Sequence, residues 1–311
     1  MIGSSFPFYP RPRTSFIFDI KSIEIITICA VTACTFIIIL PGIRGKVRIF
    51  WLLKVLISLF IGSVILAVNF TNDWEVGSVT AITAYKSFSS VMVNASIGLL
   101  IGLKGINITL TGNPVYQLNE TINYNEEFDW GSGNKFAKDY QQSLETGLPN
   151  PVLYVAEKFL IDSPCGHHQQ YCISAYYTSA IMWVAFCSWI ICNVLFCMPV
   201  LLYGIFMMFA TSFCILLSLL LFAIVRQTPL CKIQFGSSTL TTTFGLSFWL
   251  SFATGIICLL ISLMLLIIHC RRPQTLRYFF NYDKTGNIPK RPNKEVYTMD
   301  NNESIKLHKM F

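Results

Sequence analysis

Charge is scarce in this chain. Only 13% of its 311 residues are Asp, Glu, Lys or Arg, about half the share of an ordinary soluble protein, and the mean hydropathy is +0.56. Long uncharged stretches of this kind exclude a purely soluble domain. Histidine is scarcer still: His167, His168, His269 and His308 are the full set, and none lies within an apolar run. A transmembrane haem needs histidine ligands from facing helices, so the sequence excludes one. Glycine-rich phosphate loops and G-x-S-x-G are missing too, which removes the commonest nucleotide-binding and hydrolase signatures. Within the apolar runs the only charges are Glu24 and Lys54, at the ends of two different runs. Transport pathways carry buried charges or broken helices near the midplane. These absences lead to a non-catalytic membrane scaffold without metal, organic cofactor or nucleic acid.

What is present is a set of five apolar runs, at residues 23–40, 49–70, 176–197, 200–225 and 244–268. Each approaches the roughly 20 residues that cross a bilayer as a helix, and each ends at proline, glycine or charge. No basic stretch followed by an apolar core and a small-residue cleavage site precedes the first run, so it is expected to act as its own insertion signal and to stay in the protein.

Short cytoplasmic loops collect Lys and Arg. The loop at 41–48 contains Arg44, Lys46 and Arg48 and no acid; the tail from 269 has nine basic and four acidic residues; the segment 71–175 has five lysines against ten acids. The predicted topology is therefore an outer N-terminus (1–22), a cytoplasmic loop (41–48), an outer domain (71–175), an outer loop (226–243) and a cytoplasmic tail (269–311). Arg11, Arg13 and Lys21 oppose this orientation; the loop at 41–48, the segment at 71–175 and the tail agree with it.

The stretch NASIGLLIGLKGINIT at 94–109 holds an N-x-[ST] acceptor at each end and Lys104 between them. It is too short to cross as a helix. Residues 78–110 are rich in Val, Ile and Thr, which predicts strands of a half-buried sheet. Residues 134–146 then place Phe136, Tyr140 and Leu144 on one helical face, and 151–161 predict a second helix with Pro151 in its first turn. The outer segment reads as strands followed by one or two packed helices. Asn94, Asn107 and Asn119 are its expected glycosylation sites; Asn69, at the membrane end of the second run, is not, and Asn302 lies in the cytoplasmic tail.

Of eleven cysteines, Cys29, Cys34, Cys187, Cys192, Cys197, Cys214 and Cys258 lie in the spans and read as small packing residues. Cys270, beside Arg271 and Arg272 at the cytoplasmic border, is a palmitoylation candidate. Cys165, Cys172 and Cys231 face the oxidising side. One internal pair among three thiols leaves one over for a bond to another chain, and the sequence permits three such pairs. The spacing C-x-H-H-x-x-x-C around His167 and His168 matches no zinc pattern. The tail at 271–311 is polar and flexible in composition, with Arg271, Arg272 and Arg277 close to the lipid surface.

Four runs are more specific than these general signals: FPFYPRPRTSFIFDI, ILPGIRGKVR, NFTNDWEVG and SPCGHHQQYC. Together they resemble the dual oxidase maturation factors. The resemblance implies five spans, a claudin-like outer domain, and a chaperone-like subunit. That subunit would bind a dual oxidase, an NADPH oxidase with a peroxidase-like outer domain. It would accompany the oxidase from the endoplasmic reticulum to the plasma membrane, where hydrogen peroxide is released. It also implies disulfides between outer cysteines and the oxidase, the matching positions being among Cys165, Cys172 and Cys231. The reading from another class is an adhesion or junction protein of claudin or tetraspanin type, which four spans and a paired-cysteine loop would favour.

Overall fold

In the computed structural model the described residues are 20–39, 47–86, 89–131, 135–165, 167–198, 201–227 and 232–271. Cys231, the N-terminal segment 1–19, Arg44 and Lys46 of the first loop, and the tail beyond 271 lie outside them.

Five apolar helices are present: α1 (Ile20–Ile39), α2 (Val47–Phe70), α5 (His167–Cys197), α6 (Leu201–Gln227) and α7 (Leu246–Arg271). Four contain stretches long and apolar enough to cross a membrane, Trp51–Phe70, Gln169–Cys197, Leu201–Ile224 and Leu246–Arg271, whereas the apolar part of α1, Ile23–Ile39, is shorter. This is a multi-pass membrane protein.

Between apolar helices in lipid no hydrophobic drive remains, so small residues and interhelical hydrogen bonds hold them together. The buried stripe of α7 is Ser247, Ser251, Thr254, Gly255, Cys258 and Ser262. Ser212 of α6 donates to the Gly255 carbonyl at 2.8 Å. Gly62 of α2 makes room for the Trp189 indole of α5: a Cβ there would stand 2.5 Å from the ring. Trp189 Nε1 donates to the Ser58 carbonyl at 3.1 Å, and Ser58 Oγ donates to Asn193 Oδ1 at 2.5 Å. Helix α1 packs chiefly against α2, leaving Ile26, Ile28, Val31 and Ile38 exposed. Lys54 near the start of α2 lies over the Trp51 ring, 4.9 Å from its centroid.

The segment after α2 forms a meander of β1 (Glu75–Ala84), β2 (Met92–Ile101), β3 (Gly105–Gln117) and β4 (Glu120–Asp129), followed by α3 (Lys135–Glu145) and α4 (Asn150–Lys158). The sheet order is β4-β3-β2-β1-β7. Its fifth strand, β7 (Thr242–Phe244), comes from the connection between α6 and α7, which also folds a hairpin of β5 (Ile233–Phe235) and β6 (Ser238–Leu240). That connection reads from sequence as a plain loop at 226–243. Its strands are three residues each, too short to display alternation, and β7 gains its place by pairing Glu75↔Phe244.

Alternation along the strands separates two faces. Ile97, Leu99 and Ile101 of β2, Ile106, Ile108 and Leu110 of β3, and Ile122 and Phe128 of β4 point inward and are buried. Helices α3 and α4 cover this face with Phe136, Val152, Val155 and Ala156, all fully buried. Pro151 sits in the first turn of α4, where its missing N–H costs nothing. Of the three residues placed on one face of α3, Phe136 is buried, Tyr140 packs at the margin of the core, and Leu144 is 49% exposed.

The third apolar run begins at Tyr176 in the sequence, yet α5 begins nine residues earlier, at His167. The polar residues His167–Tyr171 hide this continuation from a hydropathy reading. They make the N-terminal end of α5 part of the sheet domain: Tyr171 is 3% exposed, with its ring 6.0 Å from Phe159.

Candidate functional site

The sheet domain meets the apolar helices at a joint built from one short sequence, Thr71–Glu75. The Trp74 side chain is fully buried. Its Nε1 donates to the Val68 carbonyl of α2 at 2.7 Å, and its ring lies 5.0 Å from Phe222 of α6 and 6.5 Å from Phe248 of α7. The chain entering α7 docks on the same spot: Gly245 N–H donates to the Trp74 carbonyl at 2.9 Å, and Ser247 N–H donates to the Asp73 carbonyl at 3.3 Å. Gly245 is required by this close approach, since a Cβ there would meet the Asp73 carbonyl oxygen at 2.1 Å.

Glu75 completes the joint. Its carboxyl group is 1% exposed, accepting a hydrogen bond from Tyr171 of α5 at 2.9 Å and another from Thr242 of β7 at 2.5 Å. A buried carboxylate is tolerated only when its oxygens are satisfied, so this residue ties β1, β7 and α5 into one unit. Sequence reasoning missed it: Glu75 counts there as one of ten acids in a polar loop. The signal available was an acid inside a Val-rich strand.

The expected glycosylation sites sit as follows. Asn94 is exposed on β2. Asn107 faces the same side from β3, opposite Leu100, and is half-buried, its Oδ1 enclosed. Asn119 is exposed in the tight turn joining β3 and β4, where Leu118 and Asn119 have φ of 56° and 60°, the type I′ geometry of a two-residue hairpin. Asn69 differs from all three. It is 2% exposed, and its Oδ1 accepts a 2.7 Å bond from Ser179 of α5, so no path for a sugar exists.

The cysteines divide sharply. Cys165, at the entrance to α5, is disulfide-bonded. Cys172, seven residues on, is a half-buried free thiol in the second turn of the helix. The sequence had grouped the two as loop residues. Cys270, exposed in the last turn of α7, is a free thiol. His167 is 4% exposed and packs against the Phe159 ring at 5.3 Å. Among the described residues no three His, Cys, Asp or Glu side chains form a group able to hold a metal.

The far end of the sheet has its own lock. Tyr85 OH donates to Glu120 Oε2 at 3.1 Å and shares a 2.8 Å hydrogen bond with Tyr124 OH. Burial first, then Tyr124 and Glu120, push the Tyr85 phenol well above its ordinary value. Lys86 pairs with Glu120 at 3.2 Å. At the membrane-side end, Lys135 pairs with Asp129, a contact that raises the lysine.

This arrangement has relatives. The family model described as "Dual oxidase maturation factor" matches residues 8–284. Dual oxidase maturation factor 1 of Xenopus tropicalis is 62% identical over 310 residues, covering 100% of both chains. The human protein of that name is 51% identical over 281 residues, 90% of this chain and 82% of its own. Human dual oxidase maturation factor 2 is 48% identical over 271 residues, 87% and 85% of the two chains. The match begins in the N-terminal segment, runs through the joint and the sheet, and ends beyond α7; the chain belongs to the dual oxidase maturation factor family.

Proposed function

We propose that this chain is a non-catalytic, five-pass subunit that binds a dual oxidase, enables its exit from the endoplasmic reticulum and accompanies it to the plasma membrane for hydrogen peroxide production. In this reading α1 is the fifth span, the N-terminus and the sheet domain are outside, and the tail is cytoplasmic. A four-stranded meander completed by a strand from the connection between α6 and α7 supports the claudin-like reading of this domain. The observation that carries the reading is the family membership across nearly the whole chain. The joint at Trp74 and Glu75 supports it physically. A domain bonded to α2, α5 and α7 at its base can hold the partner's outer domain in register with the partner's helices.

Asn94 and Asn107 carry sugar on one face of the sheet, and Asn119 carries it at the far tip. The oxidase then docks on surfaces without sugar, the side of α3 and α4 and the exposed flanks of the spans. Cys165 is the outer cysteine already held in a disulfide. Cys172 remains as the outer thiol available to another chain, and Cys270 as the lipidation site.

The test is co-purification. When the full chain is solubilised in digitonin from cells that also express a dual oxidase, affinity capture of the chain is expected to bring down the oxidase with its haem absorbance. Recovery of the chain alone would refute the partnership.

A further inference from the structure

A cavity of about 530 Å³ opens where the sheet meets α5, within the roughly 300–1,000 Å³ of small-ligand sites. Nothing in the escort role uses it. Its floor and one wall are the turn after β2, with Leu103 and Lys104, and the end of β4, with Asp129 and Trp130. The other wall is one stripe of α5, Cys172, Tyr176 and Ser179, spaced i, i+4, i+7 and therefore on a single helical face.

The place of this cavity is fixed by the register. Glu75 follows α2 closely, pairs with Ile101 and also with Phe244 just before α7. This end of the sheet, including the Leu103–Lys104 turn and Asp129, is the end at the membrane. Tyr176 and Tyr177 are 71% and 56% exposed, forming an aromatic collar of the kind that sits at lipid headgroup level. Below the cavity the same stripe continues to Trp183, 43% exposed, whose ring meets Phe70 of α2 edge-on at 6.3 Å. Lys104 Nζ rests 3.5 Å from the centroid of that Phe70 ring. The polar site thus opens directly onto an apolar track along α2 and α5.

The chemistry is bipolar. Lys104 supplies a cation and Asp129 an anion, the latter already held by Lys135 on its outer side. Tyr176 supplies an exposed aromatic face, and Trp130, held between Phe136 and Phe159, presents only its edge. Quaternary ammonium groups are recognised by aromatic faces with a nearby carboxylate, and phosphate by an ammonium. We propose that this cavity binds one zwitterionic choline phospholipid of the outer leaflet. Its phosphate sits on Lys104, its choline lies against Tyr176 and Asp129, and an acyl chain runs down the Phe70–Trp183 track. This site is independent of the oxidase and stands or falls without it. A purely anionic lipid matches Lys104 but meets Asp129 unfavourably, which is why a bipolar headgroup fits better.

Native mass spectrometry of the full chain in detergent tests it, with dioleoylphosphatidylcholine, dioleoylphosphatidylglycerol and dioleoylglycerol added in turn. The expected result is one phosphatidylcholine retained per chain, at least about tenfold above either other lipid. Lys104→Gln and Tyr176→Ala are each expected to lower that retention about tenfold without altering the thermal melt. Tyr176 is exposed enough that its removal leaves the fold intact, so it carries the test if Lys104→Gln disturbs the turn. Equal retention of the three lipids, stronger retention of phosphatidylglycerol, or phosphatidylcholine retention unchanged in Tyr176→Ala would overturn the proposal.

Discussion

The two faces of the β1–β4 meander are made from the same four strands and obey opposite rules. Inward, Ile97, Leu99, Ile106, Ile108 and Phe128 are buried to 1% exposure or less. Outward, the same strands present Asn94, Ser96, Thr109, Thr111, Asn123 and Asn125. These residues contribute hydrogen-bonding capacity and sugar acceptors but little apolar area. A sheet with one apolar and one polar face can fold as a single layer with helices on one side. The difference teaches where change is costly.

Substitutions that test this contrast should fall in a definite order. Phe128→Ala removes a fully buried ring that packs 5.6 Å from Phe136. Its expected cost is about 3–5 kcal/mol, read as loss of the thermal transition of the purified chain or as retention in the endoplasmic reticulum. Glu75→Gln keeps the size but puts an amide donor beside the Tyr171 and Thr242 hydroxyls. About 1–3 kcal/mol is expected, the penalty of a buried polar group left badly paired. Limited proteolysis between the sheet and α5 should detect the loosened joint, and unchanged cleavage would mean that Glu75 does not tie them.

Tyr85→Phe removes one neutral hydrogen-bonding group, worth about 1 kcal/mol, and has a pH signature. The fold raises the Tyr85 phenol, so it favours the protonated form. That stabilisation is complete below the ordinary tyrosine value of about 10 and is lost as pH rises toward the raised value. The native chain should lose stability above about pH 10 more steeply than Tyr85→Phe; parallel curves would remove Tyr85 from the account. Asn94→Gln, on the open face, should change stability by no more than about 0.5 kcal/mol, while shortening the glycan ladder on a gel by one step.

Much of this was legible in advance. Val, Ile and Thr enrichment at 78–110 marked β1 to β3, and Pro151 marked the start of α4. What escaped has physical reasons. β7 has three residues and owes its existence to the Glu75 and Val76 partners, which lie about 170 positions away in sequence. The outer end of α5 is polar because it packs into a folded domain rather than lipid, so hydropathy stopped at Tyr176. Glu126 and Glu127 belong to β4, the edge strand. Acidic side chains at an edge discourage pairing with other sheets. Glu75 is the clearest case: its burial depends on Tyr171 and Thr242, which no local window contains.

The most direct measurement is surface biotinylation of a dual oxidase in cells that lack any endogenous maturation factor, with and without this chain, alongside extracellular hydrogen peroxide. Co-expression is expected to raise surface oxidase and peroxide several-fold together, and Phe128→Ala is expected to abolish both. Oxidase that reaches the surface equally well in the absence of this chain would contradict the account.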